Sequence, residues 1–257
     1  MLLEGKVVVV SGVGPGLGRE IAAVALREGA SVMLGARNAG RLAEVAGALG
    51  DAARVGWQAT DITDADQCQR LVDAAAERFG RLDGVVNCAA MDAVMGGLQD
   101  ADFAVWRQVF DTNIIGTLSV CRAAVEHMKG AGGSIVLIGS QSSYWPQMPQ
   151  MAYAASKGGL TSAMYYLAKE LGPLGIRVNT VVPTWMWGPP VQGYVDMMVK
   201  ARGVTAEEVI GEITANMPLG EIPADEDVAE VVGFFLSDRA RMVSGQSLLV
   251  NGGEFPH

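Results

Sequence analysis

Short runs of β-branched residues alternate along this chain with longer stretches in which apolar residues recur at helical spacing. This alternation is typical of βαβ units, whose parallel strands form a doubly wound sheet with helices on both faces. A chain of 257 residues, 50% of them hydrophobic, is long enough to bury one such core. The sequence therefore predicts an α/β fold in a single domain, residues 1–257. The predicted strands are Lys6–Val10, Ser31–Leu34, Val55–Ala59, Gly84–Asn87, Ser134–Ile138, Val178–Val182 and Ser247–Val250, and the predicted helices are Leu17–Glu28, Arg41–Leu49, Ala65–Phe79, Ala101–Met128, Tyr153–Leu171 and Asp227–Leu236.

Two short motifs mark helix starts, and one segment interrupts the alternation. Thr63–Asp66 and Thr205–Glu208 have the pattern of capping boxes, a short acceptor side chain followed three residues later by an acid. Between Pro183 and Pro218 the sequence shows paired prolines, no strand, and a helical patch that begins only at Thr205. An insertion of this length is more often functional than a plain connection. We therefore expect residues 184–218 to form a substrate-binding lid.

Charge and cysteine content exclude several function classes. The net charge is −9 and no basic stripe is present, which argues against nucleic acid and anionic membranes as partners. The three cysteines, Cys68, Cys88 and Cys121, are too scattered for a disulfide framework, and with two histidines they give no metal-ligand spacing. We expect buried, reduced thiols in a cytoplasmic protein without a metal site, a signal peptide or a membrane span.

A glycine-rich loop, SGVGPGLG at residues 11–18, connects the first predicted strand to the first predicted helix. Backbone N–H groups and the positive end of the helix dipole meet there and favour an anion such as a dinucleotide pyrophosphate. We expect Gly12 to make a tight turn, Gly16 and Gly18 to allow close backbone approach, and Pro15 to stiffen the loop tip. An ordinary turn is the alternative. The predicted cofactor contacts here are Gly12, Gly14, Pro15, Gly16, Leu17 and Gly18.

The second predicted strand is followed by an arginine where dinucleotide folds that use NAD have an acid. Gly35-Ala36-Arg37 contains no acid, and a guanidinium matches a 2′-phosphate in bidentate fashion. The sequence therefore predicts NADP(H) as the preferred cofactor, with NAD(H) possible. The alternative is that Arg37 is a solvated surface residue.

Tyr153 and Lys157 are four residues apart on a predicted helix, so both side chains lie on one face. A free tyrosine has a pKa near ~10, and an adjacent cation lowers that pKa by stabilising the phenolate. Such a pair can pass a proton to or from an alcohol oxygen. A surface Tyr/Lys pair is the alternative interpretation.

Ser140 follows the strand that ends at Ile138, on the sheet edge where doubly wound folds bind ligands. With this serine in place, the sequence resembles the short-chain dehydrogenase/reductase family over essentially its whole length. The family pattern T-G-x-x-x-G-x-G is similar to Ser11–Gly18, with Ser for Thr. The other matching positions are Asp61 in TDIT, Asn87 in NCAA, Asn113 in DTNIIGT, and Ser140, Tyr153 and Lys157.

The resemblance implies a Rossmann-like fold and a catalytic set of four residues. Tyr153 is then the general acid/base, Lys157 lowers its pKa and holds the nicotinamide ribose, Ser140 orients the substrate oxygen, and Asn113 anchors a water relay. Ser142 or Ser143 could take the place of Ser140, although the spacing favours Ser140. The further implied cofactor contacts are Asp61, at the adenine, and Ile62, Asn87, Ala89, Tyr153, Lys157, Pro183 and Met186.

The chain departs from the family pattern at several places besides Ser11. Cys88 and Ala90 differ from the family's N-N-A-G, in which Asn87 is kept. The family's P-G after its sixth strand is Pro183-Thr184, the threonine that often binds the nicotinamide amide falls on Gly188, and the terminal D-G-G is Asn251-Gly252-Gly253. None of these changes touches the acid/base residues. The resemblance also implies a homo-oligomer, a tetramer, with which the long apolar helices predicted at 101–128 and 153–171 agree.

Aromatic residues and methionines are concentrated in two segments that the fold brings to one cleft, 144–151 and 185–198, and neither segment contains Arg or Lys. We predict an NADP(H)-dependent oxidoreductase that interconverts a secondary alcohol and a ketone on a hydrophobic, cyclic or aromatic, substrate. The alternatives are a 3-oxoacyl-thioester reductase, a non-redox cofactor-binding or sensing protein, and an epimerase or dehydratase. The aromatic residues could instead fill core or a subunit interface. The predicted substrate contacts are Ser140, Ser142, Trp145, Tyr153, Trp185, Trp187 and Tyr194.

Overall fold

The computed structural model describes residues 1–254, which form one sheet with helices on both faces. Its strands are β1 Val7–Ser11, β2 Ser31–Ala36, β3 Val55–Ala59, β4 Gly84–Asn87, β5 Gly133–Ile138, β6 Ile176–Pro183 and β7 Ser247–Val250. Its helices are α1 Leu17–Arg27, α2 Ala39–Leu49, α3 Ala65–Phe79, α4 Phe103–Phe110, α5 Thr117–Met128, α6 Met151–Leu171, α7 Pro189–Arg202, α8 Ala206–Thr214 and α9 Asp225–Leu236. No helix in this part of the chain is long and apolar enough to cross a membrane.

The sheet has seven parallel strands in the order β3-β2-β1-β4-β5-β6-β7. The chain winds outward from β1 in one direction and from β4 in the other, so the strand order reverses between these two strands. In a doubly wound fold, ligands bind at the carboxyl ends of the strands at this reversal. Ser11 at the end of β1 pairs in register with Asn87 at the end of β4. The predicted fold is confirmed, and these two residues mark the centre of the cleft.

The four consecutive valines of β1 illustrate how the sheet is buried on both faces. Val8 and Val10 belong to the apolar layer that includes residues of α1, α2 and α9. Val7 and Val9 belong to the opposite layer, with residues of α3, α5 and α6. Successive side chains of a strand point to opposite faces, so a continuous apolar run is what a strand covered on both sides requires.

The helix predicted over Ala101–Met128 is interrupted. A π-helical turn, Asp111–Gly116, separates α4 from α5. A side chain at Gly116 would meet Ile62, whose Cγ1 lies 2.8 Å from the position of an added Cβ. The π-helical turn therefore lies directly against Ile62. Asn113, in the middle of the same turn, is buried.

One predicted helix cap is confirmed and one is wrong. Thr205 and Glu208 form the reciprocal capping box at the start of α8. At the start of α3, Asp64 rather than Thr63 is the cap, because its carboxylate accepts hydrogen bonds from the first-turn backbone N–H groups. The Thr63 hydroxyl instead donates to Asp61 at 2.7 Å.

The segment 184–218 contains two helices, where the sequence predicted only one helical patch from Thr205. Helix α7 begins directly at Pro189-Pro190, because proline fits the first helical turn, where its missing N–H leaves no intrahelical bond unmade. Both helices pack on a separate apolar cluster of four buried residues, Val195, Val209, Ile213 and Met217.

Candidate active site

The glycine-rich loop is shaped by contact with the backbone that follows β4. Gly12 has a φ of +91°, and an added Cβ would lie 2.1 Å from the backbone nitrogen of Ala89. At Gly18 an added Cβ would lie 2.6 Å from the carbonyl oxygen of Gly12, whereas at Gly14 nothing lies within 4 Å. Gly12 is thus required by close packing as well as by the turn that the sequence predicted.

The residues around this loop fit a polar, anionic ligand group. Helix α1 begins at Leu17, and no described side chain caps its first-turn N–H groups. The Ser11 hydroxyl and the side-chain oxygen of Asn87 are buried and have no hydrogen-bond partner among the described residues. The uncapped amides at the start of α1 favour a bound anion such as the pyrophosphate of a dinucleotide, whereas the two buried oxygens are closed off from the cleft.

Arg37 and Asp61 lie near each other beyond the ends of β2 and β3. Arg37 is exposed, and Asp61 is partly buried. Hydrogen bonds from the backbone and hydroxyl of Thr63, and then the charge of Arg37, hold the pKa of Asp61 below its ordinary value. Ile62 is buried and packs into the core layer. This edge therefore offers one cation and one carboxylate, on exposed or half-exposed side chains.

Ser140, Tyr153 and Lys157 are brought together as the sequence predicted. The Ser140 hydroxyl hydrogen-bonds the phenol of Tyr153 and also contacts the Ser142 hydroxyl at 2.9 Å. Lys157 is 2% exposed, and its Nζ donates to the carbonyl of Ile138 at 2.6 Å. The same Nζ lies 5.7 Å from the centroid of the Tyr153 ring. A phenol, a hydroxyl and an ammonium group therefore converge at the end of β5.

Burial shifts the pKa values of both Tyr153 and Lys157, and the shift at Tyr153 is upward, whereas the sequence predicted a lowered value. Burial raises the pKa of Tyr153 to about 12, although the hydrogen bond from Ser140 opposes the rise. Burial also lowers the pKa of Lys157 to about 8. In the protein alone, the loss of solvent around the phenolate outweighs the hydrogen bond with Ser140, so the net shift of the Tyr153 pKa is upward. The lowering of this pKa by Lys157 stays a prediction.

Asn113 is buried, and its side chain is fully used by the protein. Its Oδ1 accepts from the backbone N–H of Met91 at 2.7 Å. Its Nδ2 donates to the carbonyl of Met91 at 3.1 Å and to the Ser156 hydroxyl at 2.9 Å. The Asn113 amide is thus bound by the Met91 backbone and by Ser156, whereas the sequence predicted a relay water as its partner.

Ser156 is a buried residue beside Tyr153 that the sequence motifs do not identify. Its hydroxyl is fully buried, donates to the carbonyl of Tyr153 at 2.7 Å and accepts from Asn113. The side chain therefore connects the π-helical turn to the helix that presents Tyr153. Its position inside the Y-x-x-x-K segment, one residue before Lys157, is the signal that could have identified it.

Gly188, where the family has a cofactor-binding threonine, contacts a carboxyl group. An added Cβ at Gly188 would lie 2.5 Å from Oδ2 of Asp225, and an added Cβ at Gly16 would lie 3.2 Å from the same atom. Asp225 is buried, and burial, followed by the charge of Glu20, raises its pKa. Asp225 thus occupies the space that a larger residue at position 188 would need, which explains this departure from the family pattern.

The aromatic residues predicted to contact substrate are not all in the same environment. Trp185 and Tyr194 lie with ring centroids 5.2 Å apart and pack against the cluster of α7 and α8. Trp187 is 37% exposed and Trp145 is partly buried. Pro183 is buried at the end of β6, and Met186 packs against the core layer of α1 and α9.

Comparison with known proteins gives matches along nearly the whole chain. Residues 12–254 match the family model described as Enoyl-(Acyl carrier protein) reductase. The cis-4-hydroxycyclohexanecarboxylate dehydrogenase of Sinomonas cyclohexanicum is 35% identical over 96% of this chain and 96% of its own. The L-rhamnose 1-dehydrogenase (NAD(P)(+)) of Azotobacter vinelandii is 35% identical over 99% of this chain and 98% of its own.

A solved structure has the same architecture. It is a short-chain type dehydrogenase/reductase from Mycobacterium ulcerans, 32% identical in sequence, with a TM-score of 0.90. The match covers 99% of this chain and 91% of the other. The similarity therefore includes the sheet, the cleft and the segment after β6.

Proposed function

This chain belongs to the short-chain dehydrogenase/reductase family, oxidoreductases that act on CH–OH groups and bind NAD(P)(H), and from this premise we propose that it interconverts a secondary alcohol and a ketone on a hydrophobic, cyclic substrate, with NADP(H) preferred. The observation that carries the proposal is the convergence of Tyr153, Ser140 and Lys157 beside the glycine-rich loop.

The residues divide the reaction between proton transfer and positioning. The cofactor supplies or accepts the hydride at its nicotinamide ring. Tyr153 donates a proton to the carbonyl oxygen during reduction and takes it back during oxidation, and the Ser140 hydroxyl, already bonded to this phenol, orients the same oxygen. Lys157, held by the Ile138 carbonyl, provides positive charge beside the phenol.

A cyclic, apolar substrate is supported by the side chains near the cleft and by one relative. The segments 144–151 and 185–198 are rich in aromatic residues and methionine and contain no Arg or Lys. The Sinomonas cyclohexanicum relative is named for a hydroxycyclohexane substrate. Residues 184–218 serve in this proposal as a lid that covers the ring and excludes water.

The test is NADPH oxidation followed by absorbance with a panel of ketones: cyclohexanones of increasing size, aromatic ketones, a 3-oxoacyl thioester and a sugar. We expect kcat/KM to rise with apolar area, by up to a few-fold per CH₂, because each buried CH₂ contributes up to ~0.8 kcal/mol. Tyr153→Phe should lose ~10²–10⁴ in rate with the cofactor Kd within a few-fold. Absence of turnover with every compound, with NADPH and with NADH, contradicts the proposed activity, and a thioester or sugar as best substrate contradicts the cyclic assignment.

The preference for NADP(H) rests on the exposed guanidinium of Arg37 beyond β2. A charge-assisted contact with the 2′-phosphate contributes ~1.5–3 kcal/mol, so Arg37→Ala should weaken NADPH binding by about tenfold or more and leave NADH binding unchanged. Arg241→Ala, an exposed arginine at the far side of the sheet, is the control. Equal loss for both cofactors, or tighter NADH binding by the unmodified protein, contradicts the assignment.

We also propose a homotetramer built through two apolar surfaces. The first, on α4 and α6, exposes Phe103, Tyr165 and Tyr166; the second, on α9 and β7, exposes Phe234 and Leu248. Large apolar side chains grouped on a surface mark association sites. Tyr166→Glu and Leu248→Glu should each give dimers by sedimentation, and the double variant monomers. A monomeric unmodified protein contradicts the proposal.

A further inference from the structure

Glu254 is a buried carboxylate near the end of the chain. It is 4% exposed, and no ion pair among residues 1–254 includes it. It accepts hydrogen bonds from the Gln141 amide at 2.7 Å, from the Gln147 amide and from the Thr184 hydroxyl. A buried charge is costly unless donors satisfy it, so this arrangement persists only while neutral donors from other segments remain in place.

The three donors belong to the two segments that border the substrate side of the cleft. Gln141 and Gln147 lie between Ser140 and Tyr153, and Thr184 follows β6 at the start of the segment 184–218. One carboxylate therefore joins the C-terminal segment to both the serine loop and the beginning of the lid. These contacts are more than 65 residues apart in sequence, so local structure does not account for them.

Gln141 is fixed at both ends of its amide. Its Oε1 accepts from Nδ2 of Asn251 at 2.7 Å, while its Nε2 donates to Glu254. Gln141 is the first residue of the short 3₁₀ turn that Ser140 caps, where the Ser140 hydroxyl accepts from the backbone N–H of Ser142 at 3.2 Å. The network thus extends from Glu254 through Gln141 to the serine that contacts Tyr153.

We propose that Glu254 is a positioning residue for the reaction, which, through Gln141 and Thr184, holds Ser140 and the beginning of the lid in their working arrangement; this rests on the proposed function. The same geometry explains Asn251. An aspartate there, as in the family's D-G-G, has no N–H to donate to Oε1 of Gln141. The amide at 251 and the carboxylate at 254 together fix one orientation of Gln141.

The first test does not depend on catalysis. Amide hydrogen exchange is measured for the unmodified protein and for Glu254→Gln, which keeps the side-chain shape and turns one acceptor oxygen into a donor. We expect exchange at least about tenfold faster in residues 141–150 and 184–188, with residues 11–18 unchanged. Glu221→Gln, an exposed carboxylate close in sequence, is the matched control. Unchanged exchange in both segments overturns the proposal.

The second test separates positioning from general stability. With the best ketone, Glu254→Gln should raise KM and lower kcat, for a loss of about tenfold or more in kcat/KM, while the NADPH Kd stays within twofold. Asn251→Asp should have the same direction of effect. The exchange of sites, Glu254→Gln with Gln141→Glu, restores a carboxylate–amide pair and should recover most of the loss, whereas Gln141→Glu alone places two carboxylates together and should lose more.

The outcomes distinguish the two proposals. If no ketone is turned over by the unmodified protein, the proposed function fails, and the hydrogen-exchange result still decides whether Glu254 orders the two segments. If turnover is normal but the exchanged pair recovers nothing, or if kcat and KM in Glu254→Gln equal those of the unmodified enzyme, the positioning role is wrong.

Discussion

The two sides of the cleft are built by different forces. On the cofactor side, backbone lies directly against backbone, as where an added Cβ at Gly12 would lie 2.1 Å from the nitrogen of Ala89. On the substrate side, side chains from distant segments are joined by polar contacts, as in the Asn251–Gln141–Glu254 chain, and helices α7 and α8 have their own small apolar cluster. We therefore expect the cofactor side to tolerate few substitutions. On the substrate side, side-chain contacts can be replaced while the sheet stays folded.

The largest expected effect comes from breaking the backbone contact on the cofactor side. Gly12→Ala should lower the free energy of unfolding by at least about 4 kcal/mol, because it combines an unfavourable positive φ with overlap against backbone that cannot move aside. Denaturant unfolding measures the loss. Gly14→Ala, where an added Cβ meets nothing within 4 Å, should stay within about 1 kcal/mol. Similar stabilities for the two variants would remove the basis of the comparison.

The next effect concerns a side chain that acts in the chemistry without supporting the fold. Ser140→Ala removes the hydroxyl that bonds Tyr153 and should lower kcat by about 10²-fold, or ~2.7 kcal/mol of transition-state stabilisation. Ser142→Ala removes a hydroxyl that contacts the Ser140 hydroxyl, and it should lower kcat by less than about fivefold. Steady-state kinetics with NADPH measures kcat for both variants. A larger loss for Ser142 would transfer the substrate-orienting role to that residue.

A matched pair of core substitutions compares the stability of the two regions. Val32→Ala in the sheet and Val209→Ala in the cluster of α7 and α8 remove the same atoms from fully buried sites, at a cost of about 1–3 kcal/mol each. We expect Val32→Ala to lower the global unfolding midpoint. Val209→Ala should instead speed proteolysis within 189–214 and leave the midpoint nearly unchanged. Equal shifts of the global midpoint would show that the sheet and the helices α7 and α8 unfold as one unit.

The same difference explains how far the sequence predicted the structure. Backbone packing leaves a local signature, so the glycines at 12 and 18, the buried strands and the Tyr153–Lys157 spacing could be identified from short patterns. The Glu254 contacts could not, because Gln141 and Glu254 are 113 residues apart and neither residue type is unusual by itself. The sequence does not predict helix α7, because paired prolines are typical of a break between elements, although prolines are also favourable in a first helical turn.

The smallest effect arises where the two sides meet, at Lys157. Burial lowers its pKa from 10.5 to about 8 in the folded protein. Between these values the unfolded chain binds the proton more strongly than the folded protein, so this lysine makes stability rise with pH across that window. The expected rise from pH 8 to pH 9 is about 1 kcal/mol. Lys157→Met, which does not titrate, should lack it.

The measurement is the difference in unfolding free energy between the unmodified protein and Lys157→Met at several pH values. The three cysteine thiols oppose the trend, because burial raises their pKa and the folded protein keeps their protons at higher pH. Cys68 and Cys121 do so in both proteins alike, whereas the charge of Lys157 lowers the pKa of Cys88 and is lost in Lys157→Met. A difference that does not change between pH 8 and pH 9 would mean that Lys157 keeps an ordinary pKa. Its ammonium would then be stabilised at the Ile138 carbonyl as well as it is in water, and burial at the junction of the two sides would carry no electrostatic cost.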